Sequence, residues 1–145
     1  MPARNGRWYG SRWIRAPRRL AIYARDGHAC LWCGAREHLS LDHLWRPVDE
    51  VYDNRSSSLV TSCLSCNSRR AGQRLAGWLR YLRRSGADVP AIVAELRRRV
   101  RAPVDMNEGR ALETSRVAQR ARKAAGRAFR ATELPALKER TCIPF

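Results

Sequence analysis

Two Cys-x-x-Cys pairs, Cys30-Leu-Trp-Cys33 and Cys63-Leu-Ser-Cys66, constrain this chain more than any other feature. Together they supply four soft thiolates, the number that closes a tetrahedral zinc site. The 29 residues between the pairs exceed what a minimal zinc ribbon needs, so the interval must hold something else. It contains Leu41-Asp42-His43-Leu44, and Asn67 directly follows the second pair. Asp offers a hard metal ligand, and His offers a base that titrates near neutral pH. That chemistry is distinct from a thiolate site.

Charge is the second constraint. The net charge is +16, which points to a polyanionic partner. Residues 1–29 contribute +6, residues 67–101 contribute +8 and residues 102–145 contribute +4. Residues 30–66 carry −2, so the interval spanned by the cysteine pairs is the one acidic stretch. Basic arms around an acidic centre suit a protein that grips phosphates while holding a divalent cation. Of the 29 basic residues, 27 are Arg, whose planar fork binds phosphate oxygens in pairs. Codon bias accounts for the ratio of Arg to Lys but not for the net charge.

No run of about eighteen apolar residues is present, so no membrane span is expected. The N-terminal residues contain Arg and Trp rather than an apolar signal region, which predicts an intracellular, cytoplasmic protein. Thiols stay reduced there, and paired cysteines bind metal rather than each other. Cys142 has no nearby partner and is read as a bystander.

Four segments follow from pattern and composition. Residues 1–15 interleave Trp8, Tyr9 and Trp13 with arginines, an arm that either lies on nucleic acid or packs on the core. Residues 16–72 hold the cysteine pairs; Pro17 opens a helix to about Arg25, and Asp26-Gly27 reads as a turn. Leu39–Leu44 and Leu59-Val60-Thr61 read as two strands, followed by a helix from about Cys66 capped by Ser65 or Asn67. Residues 73–101 form a helical extension: a helix over 72–84 presents Leu75, Trp78, Leu79 and Leu82, and one over 89–101 presents Ile92, Val93, Leu96 and Val100. Residues 102–145 are basic. Their stretch 107–131 reads as a weakly packed helix or as a segment that folds on a partner, and an irregular tail follows.

Taken together, Cys-Leu-Trp-Cys-Gly, Leu-Asp-His-Leu and Leu-Val-Thr-Ser-Cys-Leu-Ser-Cys-Asn-Ser-Arg-Arg resemble an HNH endonuclease of the four-cysteine type. Arg19-Leu-Ala-Ile-Tyr-Ala-Arg-Asp-Gly adds to the likeness, particularly to members from phages and actinobacterial genomes. The resemblance covers residues 17–72. It implies an α+β fold: a small ββα-metal core with a four-cysteine zinc site, flanked by an N-terminal helix and C-terminal α-helices. It also implies that Cys30, Cys33, Cys63 and Cys66 hold a structural Zn²⁺. His43 would be the general base, with Asp42 and Asn67 ligands of a catalytic Mg²⁺ or Mn²⁺. Arg70 would contact phosphate where relatives often have Lys. Arg69, Arg74, Arg12 and Arg15 complete the expected DNA contacts.

The chain departs from the family pattern at Ser58, where an Asn that braces the loop of the base is usual; Asn54 lies four residues earlier. Asp49, Glu50 and Asp53 in the intervening loop offer a further metal ligand or a solvated loop. The expected activity is hydrolysis of DNA, as a nick or a double-strand break, on a duplex. Two other readings stand beside it: a catalytically silent zinc module that binds nucleic acid, and an accessory of a phage packaging complex or mobile element that cuts only with a protein partner. Oligomeric state is left open. His28 and His38 are read as surface or core residues.

Overall fold

The computed structural model describes residues 14–45 and 53–129. The aromatic arm with Arg12, the loop acids Asp49 and Glu50, and the tail with Cys142 lie outside these residues. Among the described residues the fold is α+β: five helices, one antiparallel hairpin and a four-cysteine cluster.

Helix α1 spans Ala16–Arg25, with Pro17 in its first turn where a missing N–H costs nothing. It ends at Asp26. Gly27 and His28 then take left-handed backbone angles, φ 67° and 52°. Strand β1 (Leu39–His43) pairs with β2 (Leu59–Cys63), placing His43 opposite Leu59 and Asp42 opposite Val60. Alternation along β1 sends Leu39 and Leu41 toward α1, into a cluster with Leu20, Ile22, Tyr23 and Leu59. Val60 and Leu44 belong to a second cluster with Trp32, Trp78 and Leu96. Every residue of β2 is buried, because both faces of the hairpin are covered.

Helix α2 spans Leu64–Arg70. It starts two residues before the expected Cys66, and its cap is neither Ser65 nor Asn67: the Cys63 sulfur accepts from the Cys66 backbone N–H at 3.4 Å. Thiolate geometry and helix start are thus one feature. Ala71 (φ 42°) and Gly72 (φ 74°) turn the chain out of α2. That is why α3 covers Leu75–Arg84 rather than starting at residue 72. Helix α4 spans Val89–Arg101 and is capped by Asp88, whose Oδ1 accepts from Ala91 N at 3.1 Å. Trp78 of α3 meets Trp32 edge-on, with centroids 6.1 Å apart, so the helical extension shares a core with the first cysteine pair. Helix α5 spans Met106–Phe129 and packs its N-terminal part on α1, with Leu112 against the first cluster and Gly109 at the crossing.

A buried ion cluster ties these parts together. The Asp26 carboxylate accepts from Arg25 at 2.7 Å and from the backbone N–H of Thr61 at 2.7 Å. Arg25 reaches on to the carbonyls of Ser56 and Leu59. Arg99 of α4 lies 4.0 Å from Asp26 and donates to the carbonyl of Ala29, just before the first cysteine. No helix among the described residues is long and apolar enough to cross a membrane.

Candidate functional site

The two cysteine pairs converge. The sulfurs of Cys30, Cys33, Cys63 and Cys66 all lie within 4.8 Å of one another, and none is in a disulfide. Cys33 and Cys63 are 3.7 Å apart. A tetrahedral zinc with Zn–S bonds of about 2.3 Å separates its sulfurs by about 3.8 Å. The spacing and the thiolate donor set fit zinc. Hydrogen bonding with Cys66 lowers the Cys30 thiol to about 5, while the same contact and burial push Cys66 far up.

Beside it lies a cleft of about 1130 Å³. Asp42, His43 and Asn67 line it, so β1 and α2 bring together the residues expected to act together. Arg19, Arg36 and Arg116 also line it and give it a cationic wall. Arg19 stands in the segment that adds to the family likeness, but no pattern marked Arg36 or Arg116, which come from the loop before β1 and from α5.

His43 is held by the loop that precedes β2. Its Nε2 lies 2.9 Å from Asn54 Oδ1. An amide oxygen can only accept, so Nε2 carries the proton and Nδ1 is the basic nitrogen. Burial lowers the His43 pKa, against the opposing pull of the Asn54 contact and of Asp53. The brace is Asn54. Ser58, at the family's usual bracing position, instead donates to Asp53 Oδ2 at 2.5 Å. The Ser58 carbonyl accepts from Leu44 N, which fastens the loop to the end of β1. Asp53 also pairs with Arg55 and is held well below the usual carboxylate range, chiefly by that contact.

Asp42 has a different environment. It is buried, with 4% of its surface exposed. Oδ2 accepts from the indole N–H of Trp32 at 3.0 Å, and Oδ1 accepts from Arg70 Nη1 at 2.5 Å. Burial raises its pKa more than Arg70 lowers it, so the charge on Asp42 depends on Arg70. Arg70 itself is 2% exposed. Its guanidinium is engaged with Asp42 and the carbonyls of His43 and Leu44 at the wall of the cleft, where a phosphate contact was expected of it. Sequence position alone does not distinguish a cation on the surface from one folded under it. Asn67 donates its amide nitrogen to Ser40 Oγ at 3.1 Å and to the Leu41 carbonyl at 3.0 Å, which pins α2 to β1. Arg15, Arg69 and Arg74 are exposed.

Trp32 is the participant that sequence reasoning missed. Its position between two cysteines marked it as part of a knuckle, with nothing to show that it reaches Asp42. His28 and His38 both line the cleft, each with positive φ. No protein-family model, curated protein or solved structure matches the chain.

Proposed function

We propose that this protein is an HNH-type endonuclease that hydrolyses phosphodiester bonds of DNA with His43 as general base. The observation that supports this most is the His43–Asn54 hydrogen bond at the edge of an arginine-lined cleft. It orients a ring of fixed tautomer beside a surface suited to a phosphate backbone.

In this reading, exposed arginines draw the backbone into the cleft, where Arg36 and Arg116 offset its charge. His43 Nδ1 takes a proton from water. The resulting hydroxide attacks phosphorus, the bond from phosphorus to the 3′ oxygen breaks, and that oxygen takes a proton from solvent. The products are a 5′-phosphate and a 3′-hydroxyl. Cys30, Cys33, Cys63 and Cys66 would hold a structural Zn²⁺ that fastens the hairpin to α2, apart from the reaction.

The resemblance also implies Mg²⁺ or Mn²⁺ on Asp42 and Asn67, to stabilise charge on the phosphate. The residues as placed do not fit that ion. Both Asp42 oxygens already accept within the protein, from Trp32 and from the buried Arg70 cation, so the pair lacks a free carboxylate ligand; the Asn67 amide nitrogen donates to Ser40 and Leu41. No step is therefore routed through it. The occupation of Asp42 by Arg70 is the observation that favours the second reading, a zinc module that binds nucleic acid without cutting it.

A labelled duplex incubated with the zinc-loaded protein tests the proposal. Fragments with a ligatable 5′-phosphate, absent with His43→Ala, are expected. Retention of the duplex without fragments would favour the binding module.

A further inference from the structure

The guanidinium of Arg70 sits in a cradle of three oxygens. Nη1 lies 2.5 Å from Asp42 Oδ1 and 2.6 Å from the His43 carbonyl, and Nη2 lies 2.9 Å from the Leu44 carbonyl. One carboxylate and two backbone carbonyls are the donors a hard divalent cation selects. They are presented by consecutive residues at the end of β1, where the two carbonyls point to a common centre.

Two further observations hold the guanidinium there, and a third is the cost of the placement. Arg70 is 2% exposed, so the charge is buried and needs this partner. Its Cζ lies 5.9 Å from the Trp32 ring centroid, which closes the other side with an aromatic face. Its Nε is buried with no hydrogen-bond partner. The side chain therefore leaves one donor unsatisfied while the other nitrogens reach the three oxygens.

We infer that Arg70 is the resident cation of this site: its guanidinium occupies the oxygen cradle of Asp42, His43 and Leu44 and excludes a divalent ion from Asp42. This deepens the nuclease reading by stating which charge faces the reacting region. On that reading the protein's electrostatic help comes from fixed guanidinium groups. A hydrated divalent ion would have to expel a buried cation, shed its own water and leave the Arg70 charge unpaired. Each of those steps opposes binding.

The test is Mn²⁺ binding by the zinc-loaded full chain, read from loss of the electron paramagnetic resonance signal of aqueous Mn²⁺. Zinc content and tryptophan fluorescence confirm the fold of each variant. Wild type and Asp42→Asn are expected to behave alike, with no site filled at millimolar Mn²⁺. Arg70→Gln empties the cradle of charge and is expected to take up one Mn²⁺, which the double variant Asp42→Asn/Arg70→Gln loses. One Mn²⁺ bound by wild type and lost in Asp42→Asn would overturn the inference. So would a folded Arg70→Gln that binds none. If Arg70→Gln does not fold, the comparison of wild type with Asp42→Asn decides alone. The same samples assayed for DNA cleavage keep the two ideas apart. Absent cleavage with absent Mn²⁺ uptake contradicts the nuclease and leaves Arg70 where it is placed. Cleavage that needs Mn²⁺ bound through Asp42 contradicts the inference and leaves the nuclease.

Discussion

Trp32 donates its indole N–H to Asp42 Oδ2 across 3.0 Å, which joins the cysteine cluster to the hairpin residue next to His43. Trp32 lies between two zinc-type ligands, and Asp42 pairs across the hairpin with Val60 in the core. The cysteine cluster and the cleft are therefore joined through this hydrogen bond.

Trp32→Phe keeps the ring in the core and removes the donor. Loss of a hydrogen bond to a buried carboxylate should lower stability by about 1–3 kcal/mol. Urea unfolding of the zinc-loaded protein checks it. An unchanged midpoint would mean that the contact carries no net stability.

The pH dependence of cleavage follows from the burial of His43. A general base acts when neutral, so the rate of the proposed cleavage should rise with pH as the ring loses its proton. Burial lowers the pKa, which puts the midpoint of the rise below the ordinary 6.5. The Asn54 hydrogen bond raises the pKa. Asn54→Ala should therefore move the acid limb to lower pH. It should also reduce the plateau, since the ring is no longer oriented. A pH–rate profile of both proteins measures the two effects. A midpoint above 6.5 in wild type would contradict this environment.

Much of this was legible in the sequence, for identifiable reasons. The two strands and the helices after Gly72 follow from apolar spacing, because each buries one regular face. The cysteine cluster follows from ligand type and spacing alone. The bracing residue and the fate of Arg70 were not legible. Whether Asn54 or Ser58 reaches His43 depends on how the loop before β2 folds, and no pattern encodes that. Whether Arg70 points outward or inward depends on Trp32 and Asp42, which lie 38 and 28 residues away in the chain. Asp26-Gly27 has a similar history: the dipeptide signals a turn, while the buried acceptor role of Asp26 comes from Thr61 and Arg99, both distant in sequence.

The arginines should separate by exposure. Arg69 and Arg74 are exposed, so replacing either with Ala should weaken DNA binding across sequences and reduce the salt slope by about one. Glu95 ties down both Arg98 and Arg99, so Arg98→Ala should change the slope less. Fluorescence anisotropy across a salt series gives the slopes. Equal slopes for wild type and Arg69→Ala would remove Arg69 from the DNA surface.

Gly109 marks where α5 touches α1. A Cβ there would lie 2.1 Å from the Pro17 carbonyl oxygen and 2.8 Å from Ala21 Cβ. Ala is the better helix former, yet Gly109→Ala must push the helices apart. A loss of about 1–3 kcal/mol is expected. Denaturant unfolding followed by circular dichroism measures it. A stabilised Gly109→Ala would show that α5 does not pack there.

Supercoiled plasmid is the substrate that reads out the proposed cleavage by His43. Zinc-loaded wild type and His43→Ala are incubated at low salt with Mg²⁺, with Mn²⁺, and with EDTA, after zinc retention has been verified. Relaxed or linear plasmid is expected with wild type, and a rate about 10²–10⁴ lower with His43→Ala, the usual contribution of a general base. Equal cutting by both proteins, or intact supercoils under every condition while the plasmid is bound, would contradict it.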